Sequence, residues 1–293
     1  MKEHILFYGK GGVGTSTLIS NVSAALTEAG FRIMQVGCGP VSDSCSTLHG
    51  GLPVPSISDL LRGDGRISPD NAVQRGFKGI ATVEFGAPDN QPGLSTSEGL
   101  RRIFDAIEQE RIFESVPADY VLHDISGESS FAAYYEILNG LGATRIFIVT
   151  SADYMSLSAA NSIFESLERF GDARTPIPFG GLIPNGVSSS FEDSFFADFA
   201  HNTSTRVLGR VPRSLMVRQC ELYGKTVIEA SPLSNQSYFY RRLANQIVDV
   251  AQSTVAGRQP SAMSPERIRE WAHEWADRLY ALENGLVSDG AAI

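Results

Sequence analysis

The run Gly9-Lys10-Gly11-Gly12-Val13-Gly14-Thr15-Ser16 narrows the possible folds of this chain more than any other segment. It follows an apolar stretch, Ile5–Tyr8, and leads into Ser16–Ala29, where Leu18, Val22, Ala25 and Leu26 recur at helical spacing before Gly30. Strand, glycine loop and helix in that order form a phosphate loop. The glycines let backbone N–H groups close around phosphate oxygens, and the helix N-terminus adds positive potential. Such a loop belongs to an α/β protein with a doubly wound, mostly parallel sheet covered by helices on both faces.

The rest of the chain alternates accordingly. Strands are expected near Arg32–Val36, Ile80–Phe85, Tyr120–His123, Ile146–Thr150, Phe179–Ile183 and Thr205–Leu208. Helices are expected near Ser97–Glu114, Phe131–Leu141, Ser156–Arg169, Glu192–Ala200, Leu215–Tyr223 and Gln236–Ala251. Residues 1–251 read as one phosphate-loop domain, 252–264 as a linker rich in small residues, and 286–293 as a tail. Between linker and tail, residues 265–285 form an extra C-terminal helix. Ser264 and Pro265 open it, Ile268, Trp271, Trp275, Leu279 and Leu282 line one face, and Asn284-Gly285 closes it. It either docks on the body of the chain or offers its apolar face to a partner. Its polar face mixes acids and bases, unlike the Lys/Arg-rich face of a membrane-surface helix.

Charge and composition exclude several classes. A net charge of −9 argues against nucleic acid as a partner. No run of the sequence is apolar enough to span a membrane. The N-terminus lacks the pattern of a secretory signal, and three widely spaced cysteines do not make a disulfide framework. The expected compartment is cytoplasmic.

The loop departs from G-x-x-x-x-G-K-[ST] at one place, because Thr15 stands where the lysine belongs. That lysine reaches the β- and γ-phosphates as a point charge. A charge-assisted hydrogen bond contributes roughly 1.5–3 kcal/mol, so threonine is expected to weaken nucleotide binding by roughly one to two decades. Hydrolysis should suffer at least as much. Ser16 remains able to ligate Mg²⁺ held by a nucleotide. The candidate phosphate-binding residues are Gly9, Lys10, Gly11, Gly12, Val13, Gly14, Thr15, Ser16 and Thr17.

YGKGGVGTST at residues 8–17 resembles the opening of the nitrogenase iron protein family, which includes the iron proteins of dark chlorophyll synthesis. The likeness continues through VGCGPVSDSCST from Val36, with Cys38, Pro40, Asp43 and Ser44 retained. It extends to YVLHD ending at Asp124, LIPNG with Asn185, Val211-Pro212-Arg213, Glu221, and the segment Thr226–Tyr240 that contains Gln236. The resemblance implies a two-fold dimer binding ATP or ADP with Mg²⁺. Asp43 and Asp124 would lie in its two switch regions, and Asn185, Pro212, Arg213, Glu221, Gln236 and Tyr240 around the base. It also implies that Lys10, the early lysine of a deviant Walker A loop, reaches across the dimer to the partner's nucleotide.

The departures are as informative. Gly39 and Val41 replace the family's usual aspartate and lysine in the first switch. The family's [4Fe–4S] cluster takes two cysteines from each subunit. The matching segments here, Pro92–Gly99 and Asp124–Phe131, contain none, and Ser or Thr hydroxyls are poor substitutes for soft thiolates. Cys38 reads as a packed apolar thiol, and no iron–sulfur ligands are expected. Asp124 has a plainer reading as a strand-end cap, and His123 reads as packed rather than catalytic.

Three functions remain open on the sequence. The first is a regulatory or assembly scaffold, a homodimer or a partner of a true iron protein, docking on a nitrogenase-like component. The second is a slow ATPase in which Lys10 acts in trans and Asp124 in cis. The third is a reductase with an unorthodox cluster on Cys38 and Cys45.

Overall fold

A computed structural model describes residues 2–63, 65–86, 97–127, 131–170, 176–253 and 259–286. The chain opens with β1 (Glu3–Gly9), α1 (Thr15–Glu28) and β2 (Ile33–Gly37). Two short helices, α2 (Ile57–Arg62) and α3 (Pro69–Ala72), precede β3 (Gln74–Arg75) and β4 (Ala81–Glu84). Then come α4 (Ser97–Gln109), β5 (Tyr120–Ser126), α5 (Phe131–Gly140), β6 (Ala143–Thr150) and α6 (Tyr154–Phe170). They are followed by β7 (Phe179–Val187), α7 (Ser190–Asn202), β8 (Val211–Pro212) and α8 (Leu215–Leu222). The chain finishes with α9 (Val227–Ala230), α10 (Asn235–Gln252) and α11 (Pro265–Glu283).

The strands form a single sheet in the order β3-β4-β2-β5-β1-β6-β7-β8, parallel except where β3 runs against β4. Alternation along β1 explains the layering. Ile5 and Phe7 face a core completed by α1 and α10, while Leu6 and Tyr8 face one built with α4, α5, α6, α7 and α11. Register aligns the functional ends of the strands. Gly9 pairs with Ser126, and Gly37 pairs with Asp124, so the phosphate loop and both switch segments leave the same edge of the sheet.

Two expected elements differ. Thr205–Leu208 is not a full strand: Leu182 bonds Arg206 and Leu208 through the backbone, but only Val207 makes a bridge. Ser204, with φ of 54°, turns the chain into this segment, and the ladder resumes only at β8. The helix expected over 97–114 stops at Gln109, because Arg111 takes a left-handed φ of 52°. Helices α2, α3 and α9 are too short to announce themselves by periodicity.

Helix α11 docks on its own chain. The Ser264 hydroxyl accepts from the Arg267 N–H, and Asn161 holds the preceding turn by bonds to both N–H and C=O of Met263. Trp271 and Trp275 are buried against Phe191, Phe195 and Phe199. Both indole N–H groups donate to one carboxylate oxygen of Asp198, at 2.7 and 2.8 Å. Burial of each ring stabilises the contact by several kcal/mol, roughly 3–5 judged by the usual cost of truncating such a residue. The shared acceptor fixes the helix's rotation. No helix among the described residues is long and apolar enough to cross a membrane.

Candidate functional site

Gly12 and Gly14 give the phosphate loop its shape, with φ of 89° and 83°, values that side chains with a Cβ rarely adopt. Gly14 is the N-cap of α1 and supplies no side chain to the helix's first N–H groups, which are therefore aimed at the cleft above. The cleft holds about 320 Å³ and is lined by the loop from Gly9 to Thr17 except Val13, by Gly39, Pro40, Val41, Asp43 and Ser44, and by Asp124, Ser126 and Gly127. Gly127 packs directly on the loop, and a Cβ there would come within 2.7 Å of the Gly9 carbonyl and of the Lys10 Cα. Sequence reasoning missed Gly127 as a lining residue; its place three positions after Asp124 was the available signal.

Thr15 does not present its hydroxyl to the cleft. Its Oγ1 is buried without a hydrogen-bond partner and lies where a Cβ on Gly9 would be only 2.2 Å away. The residue at the lysine position thus turns inward against β1. Lys10 lines the cleft and stays partly exposed. It is near Asp153 at the start of α6. Burial pushes that carboxyl up, but hydrogen bonds from Ser151 and Ser156 and the Lys10 ammonium bring it below its ordinary value.

Asp124 is buried near the end of β5 and lines the cleft beside the loop. Ser44 Oγ donates to its carboxylate at 2.5 Å, and Ser16 also bonds it. Burial raises its pKa against the pull of these two hydroxyls, with Asp43 adding repulsion. The Ser16 hydroxyl and the Asp124 carboxylate are oxygen ligands suited to Mg²⁺, and the uncapped N–H groups at the N-terminus of α1 are suited to phosphate. These residues fit a magnesium–nucleotide, although the loop's usual ammonium is missing.

Glu84, at the end of β4, is a buried acid behind the cleft that the sequence did not single out. It is fully buried, accepts the Cys45 N–H at 2.7 Å, and leaves Oε2 without a partner against Gly37. Burial, with Asp124 and Asp43 nearby, holds its pKa up at about 8 despite the bonds from Cys45. The only sequence signal was a lone acid closing an apolar strand.

The residues expected around the base do not line this cleft. The Asn185 amide donates to the Val13 carbonyl at 2.7 Å, bracing the loop from β7. Thr17 donates to Glu221, fastening α8 to α1. Gln236 donates to the Pro212 carbonyl at 3.2 Å, Tyr240 is closed in the core, and Arg213 is exposed.

The three thiols do not fit an iron–sulfur cluster. Cys38, Cys45 and Cys220 are buried and unpaired, and burial pushes all three thiols up, away from the thiolate form that iron requires. Cys38 Sγ lies at 3.6 Å from the Val36 carbonyl and Cys45 Sγ at 3.9 Å from that of Gln35. Cys38 also approaches His123, itself stacked on His4 in the core, as a packed thiol and a packed histidine would. Of the two cysteine-less segments, 92–96 and 128–130 lie outside the described residues.

The family described as 4Fe-4S iron sulfur cluster binding proteins, NifH/frxC family, matches residues 3–276. Nitrogenase iron protein 2 of Paenibacillus durus is 38% identical over 291 residues, covering 99% of this chain and 97% of that one. Nitrogenase iron protein 2 of Methanothermococcus thermolithotrophicus is 33% identical over 267 residues, covering 86% and 90%. Among solved structures, the septum site-determining protein MinD of Pyrococcus horikoshii OT3, complexed with Mg-ADP, superposes with a TM-score of 0.65. It is 18% identical and covers 87% of this chain and all of its own, a likeness of fold alone.

Proposed function

This chain belongs to the NifH/frxC family of 4Fe-4S iron sulfur cluster binding proteins, and within it we propose a member that keeps the nucleotide-responsive scaffold without the cluster. It binds MgATP or MgADP, turns it over slowly or not at all, and works in the cytoplasm as a homodimer. Its role is regulatory or in assembly, through a nitrogenase-like component or a true iron protein. One contrast carries this reading. The oxygen set of Ser16 and Asp124 under an open helix N-terminus suits a magnesium–nucleotide, whereas every thiol of the chain is buried. The two segments where relatives of this type hold cluster cysteines contain no cysteine. Electron transfer and hydrolysis depend on different residues, so the loss of both favours a scaffold retained for shape and sensing.

A second reading has one observation in its favour. Lys10 lines the cleft and is not sealed in the protein, so it is available to a nucleotide on a facing copy, which is what a slow ATPase would need. The burial of Cys38 and Cys45 speaks against a reductase built on an unorthodox cluster.

Anaerobic purification followed by iron and sulfide reconstitution tests the cluster-less reading. The expected product is colourless, with iron and sulfide far below stoichiometric amounts. A brown protein with stoichiometric iron and sulfide would overturn it.

A further inference from the structure

The backbone ladder at the sheet edge breaks between Leu208, which still bonds Leu182, and Val211, where β8 begins. A pocket of about 310 Å³ opens at this break, between the segment 207–210 and α10. It shares no lining residue with the phosphate cleft. Its volume falls at the lower end of the range for small-molecule sites, roughly 300–1,000 Å³.

Helix α10 supplies Phe239, Arg242 and Gln246 at positions i, i+3 and i+7, so the three share one face. Leu243, buried in the core, lines the pocket beside them, and Leu208 and Gly209 line it from the broken segment. A side chain at Gly209 would intrude. Its Cβ would lie 2.7 Å from Gln246 Oε1 and 3.2 Å from Leu243 Cδ1, so glycine keeps the pocket open.

Two guanidinium groups line the pocket, but only one is uncommitted. Arg210 is ion-paired with Asp193 in the first turn of α7. Arg242 is exposed and has no ion pair among the described residues, and the Gln246 side chain has no hydrogen bond among them. No carboxylate is among the lining residues. A free planar guanidinium beside a carboxamide and a phenyl ring suits one carboxylate on a flat apolar body. The fork bonds both carboxylate oxygens, and the body packs on Phe239, Leu208 and Leu243. A phosphate monoester brings roughly 1.5–2 negative charges, more than Arg242 alone offsets.

We propose that this pocket binds a small monocarboxylate with an aromatic or similarly flat body, held by Arg242. The site lies apart from the nucleotide cleft and does not depend on the reading given to that cleft.

Fluorine NMR of para-fluorobenzoate, titrated with the intact chain, reads the site. Saturable binding is expected, weakened about 10- to 100-fold by Arg242→Gln, the range that one charge-assisted bond supplies. Glutamine suits an exposed helix position, so the variant should melt as the wild type does. The neutral para-fluorobenzamide should bind wild type and variant equally weakly, a result that a general disturbance of the pocket would not give. Gly209→Leu fills the pocket and should abolish binding while the same melt shows it folded. No saturable binding of para-fluorobenzoate, or equal affinity in wild type and Arg242→Gln, overturns the assignment. So does binding retained by folded Gly209→Leu, or inorganic phosphate competing as well as unlabelled benzoate.

Discussion

Thr15→Lys is expected to tighten binding of MgATP by about 10- to 100-fold, the range that one charge-assisted hydrogen bond supplies. The threonine contributes nothing that the lysine would displace. Its hydroxyl is buried against Gly9 with no partner, so the wild-type loop holds phosphate with backbone N–H groups, Ser16 and whatever Lys10 adds. A lysine at this position cannot follow the same inward path, because the space beside Gly9 is closed by Val13 and the Val149 carbonyl as well. Its long stem leads the ammonium out over the loop, toward the β- and γ-phosphates. Thr15→Val is the control: it removes the orphaned hydroxyl and keeps the shape, so affinity should not change. Calorimetric titration of the three proteins checks this, and equal affinities for wild type and Thr15→Lys would mean that phosphate does not sit on this loop.

Glu84→Gln is expected to stabilise the protein by about 2–3 kcal/mol at pH 8 and to lose that advantage by pH 4.5. Burial raises the folded-state pKa of Glu84 from its ordinary 4.5 to about 8. The folded state therefore holds a proton that the unfolded state releases. The stability linked to Glu84 is fully present below pH 4.5 and is lost as pH rises through 8. By pH 8 that loss approaches about 4 kcal/mol. Glutamine removes the titration but puts an amide where Oε2 had no partner, a cost of roughly 1–3 kcal/mol that reduces the net gain. Urea unfolding at pH 4.5 and 8 measures the difference between the two proteins. A difference independent of pH would show that Glu84 is not held protonated in the fold.

Much of this architecture is legible in the sequence because it rests on local chemistry. Gly12 and Gly14 require left-handed backbone, an apolar strand precedes them, and the helix that follows has a clear period. Asp124 was legible as the end of a second strand, although its bonds to Ser16 and Ser44 depend on the register of β2 with β5. The C-terminal helix was legible as an amphipathic element, but its destination was not. Whether Trp271 and Trp275 find a partner chain or Asp198 depends on α7, more than seventy residues earlier in the chain. Glu84 was invisible for a similar reason. Its raised pKa comes from burial against Gly37 and from the nearby Asp124, acting against the bonds from Cys45, and the sheet brings these groups together from two other strands and a loop. Tyr240 and Gln236 resemble a base pocket by sequence, yet Tyr240 is closed in the core and Gln236 bonds backbone across from the cleft.

A nucleotide cradle kept without its chemistry is the central claim, and one paired measurement addresses it. Cluster-free protein is titrated with MgATP and MgADP by calorimetry while turnover is followed on the same sample. Saturable binding of both nucleotides, with phosphate release no faster than the uncatalysed background, is the expected result. No binding at millimolar nucleotide would contradict the account by making the loop vestigial. Steady turnover abolished by Lys10→Ala would contradict it in the other direction, by making the protein an ATPase that has replaced Thr15's missing charge with Lys10.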